Sequence, residues 1–334
     1  MNRDMPHLRC FQTRTVTAPQ SHAPQLSIFH PPSSIVYPRE VRWNKITLVG
    51  VGLLGGSLGL ALRRRKLAKE IAGYVRREAS IKDCERAGAT DYATTDLLAA
   101  VSNADLVVLC TPLAQMKPLV RQMLPALKRG AIVTDVGSVK GSVVKDVEAM
   151  IAKAGAHFVG SHPMAGGEKQ GVLAARAELF ECAVCVVTPT RKTNPTALCK
   201  VEALWKDVGA RLLRTTPDDH DAFVSRSSHL PHLMAATLAN LVLDPKLPRE
   251  QALLCATGFR DTTRVASGSP EMWRDIAVTN HKQIGRALTG FIAELNKFQS
   301  ALKHGDAKAI AKFFETAKQR RDNWCACCAS PSQE

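Results

Sequence analysis

Six residues, Gly50-Val51-Gly52-Leu53-Leu54-Gly55, constrain this chain more than any other feature. They follow an apolar run at 46–49 that reads as a strand, and they open a helical pattern beginning near Gly55. That strand–turn–helix setting is what gives a three-glycine spacing its meaning. Gly50 permits the tight turn, Gly52 lets the backbone approach a pyrophosphate, and Gly55 permits close packing of helix on strand. The helix N-terminus, with its N–H groups and dipole, then holds the phosphates. Leu53 and Leu54 lie within this loop as cofactor-binding positions. Thr111 and Pro112, at the end of a strand read over 105–110, complete the set. A glycine turn that binds nothing is the alternative.

The rhythm of the chain agrees. From Lys45 to about Thr216, apolar runs at 46–49, 71–75, 105–110, 131–136, 157–159, 183–187 and 211–213 alternate with helical patterns. This is the pattern of an α/β Rossmann-like dinucleotide-binding domain with a mainly parallel sheet, spanning 44–216. From Asp218 onward the strands stop, and helical patterns at 223–243, 272–302 and 306–322 define an all-α domain over 217–324. Residues 1–43 hold six prolines, few acids and no sustained period. They are expected to form a disordered extension, and the prolines argue against a transit peptide. Residues 325–334 are expected to be a flexible tail.

The second strand ends in Gly73-Tyr74-Val75-Arg76-Arg77-Glu78. An NAD-binding protein usually carries an acid at this strand end to hold the ribose hydroxyls. Here two guanidiniums follow Val75, and Glu78 comes too late to serve. Arg76 and Arg77 would welcome a 2′-phosphate, so NADP is expected in preference to NAD. The alternative is that both arginines belong to a solvated loop.

With 45% hydrophobic and 22% charged residues, the 334-residue chain can bury real cores, which excludes a disordered or fibrous protein. Its apolar runs fall far short of the roughly 20 residues that a membrane-spanning helix needs. The net charge is +15, of which residues 1–43 supply only +3, so the folded body is basic. A basic body suits either nucleic acid or an enzyme with an anionic substrate and cofactor. Aromatics are only 5%, and the basic runs, Arg63 to Lys66 and Lys318 with Arg320 and Arg321, fall at expected helix ends, where cations suit the dipole. Neither a nucleic-acid partner nor a membrane is therefore expected. Ten cysteines, mostly single within apolar runs, read as reduced core thiols in a reducing, cytoplasmic setting. Cys182 and Cys185 have the spacing of a metal pair, but the run 182–187 reads as a strand, which turns them to opposite faces. No metal site is expected.

The chemistry gathers at later strand ends. The stretch Asp135 to Lys140 (DVGSVK) and the stretch Ser161 to Glu168 (SHPMAGGE) each follow a strand, so their polar groups reach the sheet edge where such folds bind ligands. In the helical part, Ser228 to His232 (SHLPH) interrupts an apolar helix, and Gly258 to Arg264 (GFRDTTR) brings two cations beside an acid, as a substrate clamp would. His229, His157 and His281 read as hydrogen-bonded structural histidines. His162 differs, because it lies just past a cofactor-domain strand in a turn fixed by Pro163 and glycines, where an imidazole can take a proton as hydride leaves.

Together with Met272 to Asp275 (MWRD), these motifs resemble the prephenate/arogenate dehydrogenase family of tyrosine biosynthesis, over about Lys45 to Trp324. The resemblance implies an N-terminal dinucleotide domain and a helical domain that forms a homodimer, with the active site in the cleft between them. It also implies oxidative decarboxylation of prephenate or arogenate. His162 would hydrogen-bond the ring hydroxyl, and Ser138 would support it near the nicotinamide. Arg264 would anchor a substrate carboxylate, and Ser228 and His232 would line the side-chain pocket. Glu168 and Asp261 would gate that pocket through ion pairs, while Arg264 paired structurally to Asp261 is the plainer alternative. Gly167 stands where the motif often has Thr or Ser.

His232 resembles prephenate-using members, whereas NADP preference is common among arogenate enzymes. The expectation is prephenate as substrate, with arogenate or dual cyclohexadienyl activity open. A basic NADP-sensing or nucleic-acid-binding protein is the alternative of another class. The 43-residue leader and the ten residues after Trp324 leave no room for a fused mutase or regulatory domain, so any tyrosine inhibition is expected at the active site itself.

Overall fold

Strands β1 (Trp43–Val49), β2 (Ala68–Tyr74), β3 (Tyr92–Thr94), β4 (Leu106–Leu109), β5 (Ile132–Asp135), β6 (His157–Pro163), β7 (Val184–Thr188) and β8 (Arg211–Arg214) form one sheet in the order β3-β2-β1-β4-β5-β6-β7-β8. The computed structural model describes residues 43–329 apart from Glu168, with backbone alone for 327–329. The readings made for 1–42, 168 and 330–334 lie outside the described residues. Every pairing is parallel except β6 with β7.

Apolar runs become strands here because the sheet is covered on both faces. Ile46 and Leu48 of β1, with Leu106 and Val108 of β4, enter one core beside Leu58, Phe180 and Trp205. Their neighbours Val49, Val107 and Leu109 point the other way, into a second core with Met116, Val120, Val147 and Ile151. The period of two thus feeds two cores from one strand. The helices that cover them are α1 (Leu53–Arg64), α2 (Ala79–Ala87), α3 (Leu97–Val101), α4 (Leu113–Met123), α5 (Gly141–Lys153) and α6 (Pro195–Asp207). At β1 the order reverses, with β2 on one side and β4 on the other, and ligands of such sheets bind at this switch point.

After β8 the described chain is helical: α7 (Pro217–Val224), α8 (Leu230–Val242), α9 (Arg249–Leu253), α10 (Thr257–Thr263), α11 (Pro270–Thr279), α12 (His281–Lys303) and α13 (Ala307–Ala329). Thr216 caps α7, its hydroxyl accepting the N–H of Asp219, and Pro217 fills the first helical position. No described helix is long and apolar enough to cross a membrane.

Several sequence expectations need correction. The short edge strand β3 went unread because Tyr92-Ala93-Thr94 is too brief to show a period. Helix α1 begins at Leu53 rather than near Gly55. Strand β7 begins at Val184, and Cys182 sits before it in a left-handed turn at φ +61°, exposed, while Cys185 is buried. Lys318, Arg320 and Arg321 lie inside α13 and not at its end, because that helix continues to Ala329 and takes in the start of the expected tail. The pattern at 272–302 is two helices, divided at Asn280, whose side chain turns inward to hydrogen-bond. The SHLPH interruption is a π-helical turn, Ser225–His229, joining α7 to α8. Pro231 has no N–H to give the turn before it, and the widened turn absorbs that loss.

Candidate active site

His162 stands one residue before the end of β6. Strand β5 pairs with β6 only as far as Thr134 opposite Val159, so the remainder of β6 runs past it, held from the other side by β7 with His162 opposite Val186. The ring therefore lies at the carboxyl edge of the sheet, 9% exposed. Burial, helped by the charge of Lys140 and by repulsion from His220 and His229 where those rings are protonated, holds its pKa well below the ordinary histidine value. It is neutral near pH 7.

The Nδ1 of His162 lies 2.9 Å from Nε2 of His220, and Nδ1 of His220 lies 2.8 Å from Oδ1 of Asp221. The Asp221 carboxylate also accepts the backbone N–H groups of Lys140 at 2.7 Å and Gly141 at 2.9 Å. It thereby caps the N-terminus of α5 from across the domain boundary. Asn280 Nδ2 donates to the Asp221 carbonyl at 3.0 Å and to Nδ1 of His229 at 3.2 Å. An amide nitrogen only donates, so His229 offers a lone pair there. Burial accordingly pushes His229 down to about 4. Beneath this layer Lys140 pairs with Asp135 and donates to the Ser161 carbonyl at 2.8 Å, while Ser161 Oγ donates to the Asp135 carbonyl at 2.6 Å.

On the helical side, Nδ1 of His232 meets the Ser228 carbonyl at 2.9 Å, and its ring stacks on Trp273 with centroids 3.9 Å apart. Burial lowers the pKa of His232, and the nearby charge of Arg264 lowers it further against the effect of that hydrogen bond. Arg264, exposed at the turn after α10, is thus brought beside His232. SHLPH, GFRDTTR and MWRD converge on one another. Asp261 is exposed on α10, Glu168 lies outside the described residues, and Gly167 has Leu53 at ordinary contact distance from where a side chain would begin.

Ser138 is half-buried in the loop between β5 and α5. Among the described residues it makes no hydrogen bond to His162, whose Nδ1 partner is His220. Sequence reasoning missed His220 and Asp221 because Pro217-Asp218-Asp219-His220-Asp221 reads as an ordinary acidic helix start. It quoted Trp273 without assigning a role, although the indole Nε1 is buried with no hydrogen-bond partner.

The switch point carries a groove of about 580 Å³, lined by Gly50, Gly52, Arg76, Arg77, Ser80, Thr111 and Pro112. Gly50 is left-handed at φ +97°, and a Cβ there would come 2.8 Å from the Thr111 side chain. At Gly55 a Cβ would come 2.1 Å from the Gly50 carbonyl oxygen, whereas at Gly52 it would meet nothing within 4 Å. Gly52 therefore keeps open the space where a pyrophosphate would lie, beside the N-terminus of α1. Thr111 Oγ1 is buried without a partner in the same groove. The residues fit a dinucleotide. Leu53 and Leu54 pack their side chains against the apolar core, so backbone atoms are what they can offer the cofactor. Among the described residues, no group of three or more His, Cys, Asp or Glu side chains could hold a metal.

Fold and site define a dinucleotide-dependent oxidoreductase with a nucleotide-binding sheet domain followed by a helical domain. Residues 58–214 match the nucleotide-binding domain of prephenate dehydrogenase, and residues 216–316 match its dimerization domain. The chain belongs to the prephenate dehydrogenase family. It is 35% identical to prephenate dehydrogenase of Bacillus subtilis over 283 residues, which is 83% of this chain and 75% of the relative. It is 34% identical to cyclohexadienyl dehydrogenase of Zymomonas mobilis, over 83% of this chain and 94% of that one. Among solved structures, prephenate dehydrogenase from A. aeolicus in complex with hydroxyphenyl propionate and NAD+ superposes with a TM-score of 0.79 at 32% identity, covering 84% of this chain and 98% of that one. Arogenate dehydrogenase from Synechocystis gives 0.71 at 31%, covering 84% and 99%.

Proposed function

We propose that this protein oxidatively decarboxylates prephenate to 4-hydroxyphenylpyruvate with NADP as oxidant, acting as a homodimer through its helical domain. The observation that carries the reading is His162, neutral and fixed at the sheet edge, with the Arg264–His232–Trp273 cluster supplied by the helical domain. The names of the relatives support prephenate.

The bound dinucleotide supplies a hydride acceptor. As hydride leaves the hydroxyl-bearing ring carbon, positive charge grows on the hydroxyl oxygen, and His162 accepts a hydrogen bond from that hydroxyl and steadies the charge. The carboxylate then leaves as carbon dioxide, its bonding pair enters the ring, and the hydroxyl keeps its hydrogen. Aromatisation drives this step, so the chain's task is to orient the substrate and stabilise charge. Arg264 holds a substrate carboxylate, Ser228 and His232 face the side chain, and Ser138 borders the reacting end. Glu168 and Asp261 gate the pocket.

NADP preference rests on Arg76, Arg77 and Ser80, which share the groove with Gly50 and Gly52. Asp83 is the carboxylate on that wall, and it lies further along α2. One observation favours arogenate as a second substrate. With Nδ1 of His232 donating to a carbonyl, Nε2 is left as an acceptor, suited to the ammonium that arogenate carries in place of the keto oxygen.

Initial rates with prephenate and arogenate, each against NADP and NAD, test this on wild type and His162→Asn. Reduction of NADP with prephenate, lost in His162→Asn, is expected. Turnover of arogenate alone would overturn the substrate, and equal use of NAD would overturn the cofactor.

A further inference from the structure

His162 does not stand alone. Its Nδ1 is 2.9 Å from His220 Nε2, and His220 in turn is 2.8 Å from Asp221, whose carboxylate is fixed by two backbone N–H groups of α5. All three residues are shielded from solvent, at 9%, 1% and 6% exposure. We propose that His220, oriented by Asp221, is a positioning residue that sets the tautomer of His162 and shares the charge it takes up, through an Asp221–His220–His162 relay running from the helical domain into the sheet.

The donor inventory fixes the direction of the chain. A carboxylate that already receives two N–H groups accepts at Oδ1, so Nδ1 of His220 carries the hydrogen that points to Asp221. Burial lowers the pKa of His220 despite that bond, so the ring is neutral and its Nε2 is a lone pair. The hydrogen between the two rings then belongs to Nδ1 of His162. By elimination, Nε2 of His162 is unprotonated, the form required to accept a hydrogen bond from a substrate hydroxyl. A free imidazole would divide its proton between both nitrogens, whereas this partner selects one.

The inference rests on the reaction proposed above and adds a path for its charge. While hydride is lost to the oxidised dinucleotide, the hydroxyl proton is shared with Nε2 of His162, and the Nδ1 proton is drawn toward Nε2 of His220. Positive charge thus spreads toward Asp221. When carbon dioxide leaves and its electron pair enters the ring, both protons return, and no proton is gained or lost. Other titratable groups face the pair from the packed elements: Lys140 at the start of α5 with Asp135 of β5, the buried thiol of Cys185 on β7 against the His162 backbone, and His229 of the π turn. Lys140 opposes positive charge on either ring, and Asp221 and Asp135 favour it on His220.

Two measurements test the relay. In the first, His220→Gln is assayed for kcat, KM and the pH profile of kcat/KM. The expected result is a kcat lower by about 10²-fold with KM for substrate held, and an acidic limb moved to lower pH, because the charge then rests on His162 alone in a buried site. A purely structural residue would leave the limb in place, so an unchanged kcat and limb overturn the relay. In the second, 15N spectra of the histidine-labelled wild type give the His162 tautomer, its signals identified by their absence in His162→Asn. Protonation at Nδ1 is expected, and protonation at Nε2 overturns the relay even where His220→Gln does not fold. Wild-type enzyme inactive with every substrate and cofactor pair, yet protonated at Nδ1 of His162, would refute the proposed reaction and leave the hydrogen-bonded chain standing.

Discussion

The ammonium of Lys140 rests against the carboxylate of Asp135, and neither side chain has any solvent exposure. The pair is not idle packing. Asp135 also accepts the N–H groups of Gly137 and Ser161, and Lys140 reaches the Ser161 carbonyl, so one buried charge pair ties the ends of β5 and β6 to the start of α5. His162 follows Ser161 directly, so its backbone is anchored by these bonds.

Removing one partner of such a pair leaves the other charge buried and uncompensated, which costs about 3–5 kcal/mol. Lys140→Met is therefore expected to unfold at a clearly lower urea midpoint than wild type at equal protein concentration. A midpoint matching wild type would mean that the pair holds nothing together.

Acid stability follows from the buried histidines. The pKa of His229 in the folded state is about 4, below the ordinary 6.5, so the unfolded chain binds the proton first. The stability contributed by the neutral ring is fully present above pH 6.5, falls as the pH drops below that value, and levels off near 4. His162 and His220 are lowered in the same direction and steepen the loss. Urea midpoints at pH 7.5 and pH 5 should differ, and His229→Gln should shrink that difference, since one fewer proton is taken up on unfolding. An undiminished difference would remove His229 from the account.

Much of this was legible in the sequence because it depends on local order. The glycine loop reads directly, since tight turns and close approaches demand glycine at fixed offsets, and β4 and β5 read as strands because both faces are covered. The division near Thr216 reads from the end of the strand rhythm. The relay was not legible: His220 and Asp221 lie 58 and 59 positions from His162 in sequence, and only the packing of α7 on the sheet edge joins them. Nor could spacing reveal that Asn280, at a break between helices, turns inward to Asp221 and His229. Hydrogen bonds between segments distant in sequence leave no periodic trace.

Gly52 and Gly55 should separate binding from folding. A methyl group at Gly52 meets no protein atom within 4 Å, whereas one at Gly55 would come 2.1 Å from a backbone oxygen. Gly52→Ala is expected to melt with the wild type while NADP binding weakens about tenfold or more, a loss of about 1.4 kcal/mol. Gly55→Ala is expected to lose about 3 kcal/mol of stability through overpacking. Thermal melts and NADP titrations on both variants check this, and a Gly52→Ala protein that binds NADP like wild type would take the pyrophosphate away from that space.

Arg76 and Arg77 provide the sharpest test of cofactor choice, because a 2′-phosphate is all that distinguishes the two dinucleotides. Both arginines are exposed and line the groove beside Ser80, following a strand that ends in Tyr74 without an acid. A charge-assisted hydrogen bond contributes about 1.5–3 kcal/mol, and loss of one at this rim should fall near the lower figure, about tenfold in binding. Arg76→Ala and Arg77→Ala are therefore expected to raise the KM for NADP about tenfold between them while the KM for NAD stays put, and high salt should narrow the preference in wild type by screening the same contact. If both variants keep the wild-type ratio of kcat/KM for NADP over NAD, the two guanidiniums belong to the solvent, and cofactor choice is made elsewhere in the groove.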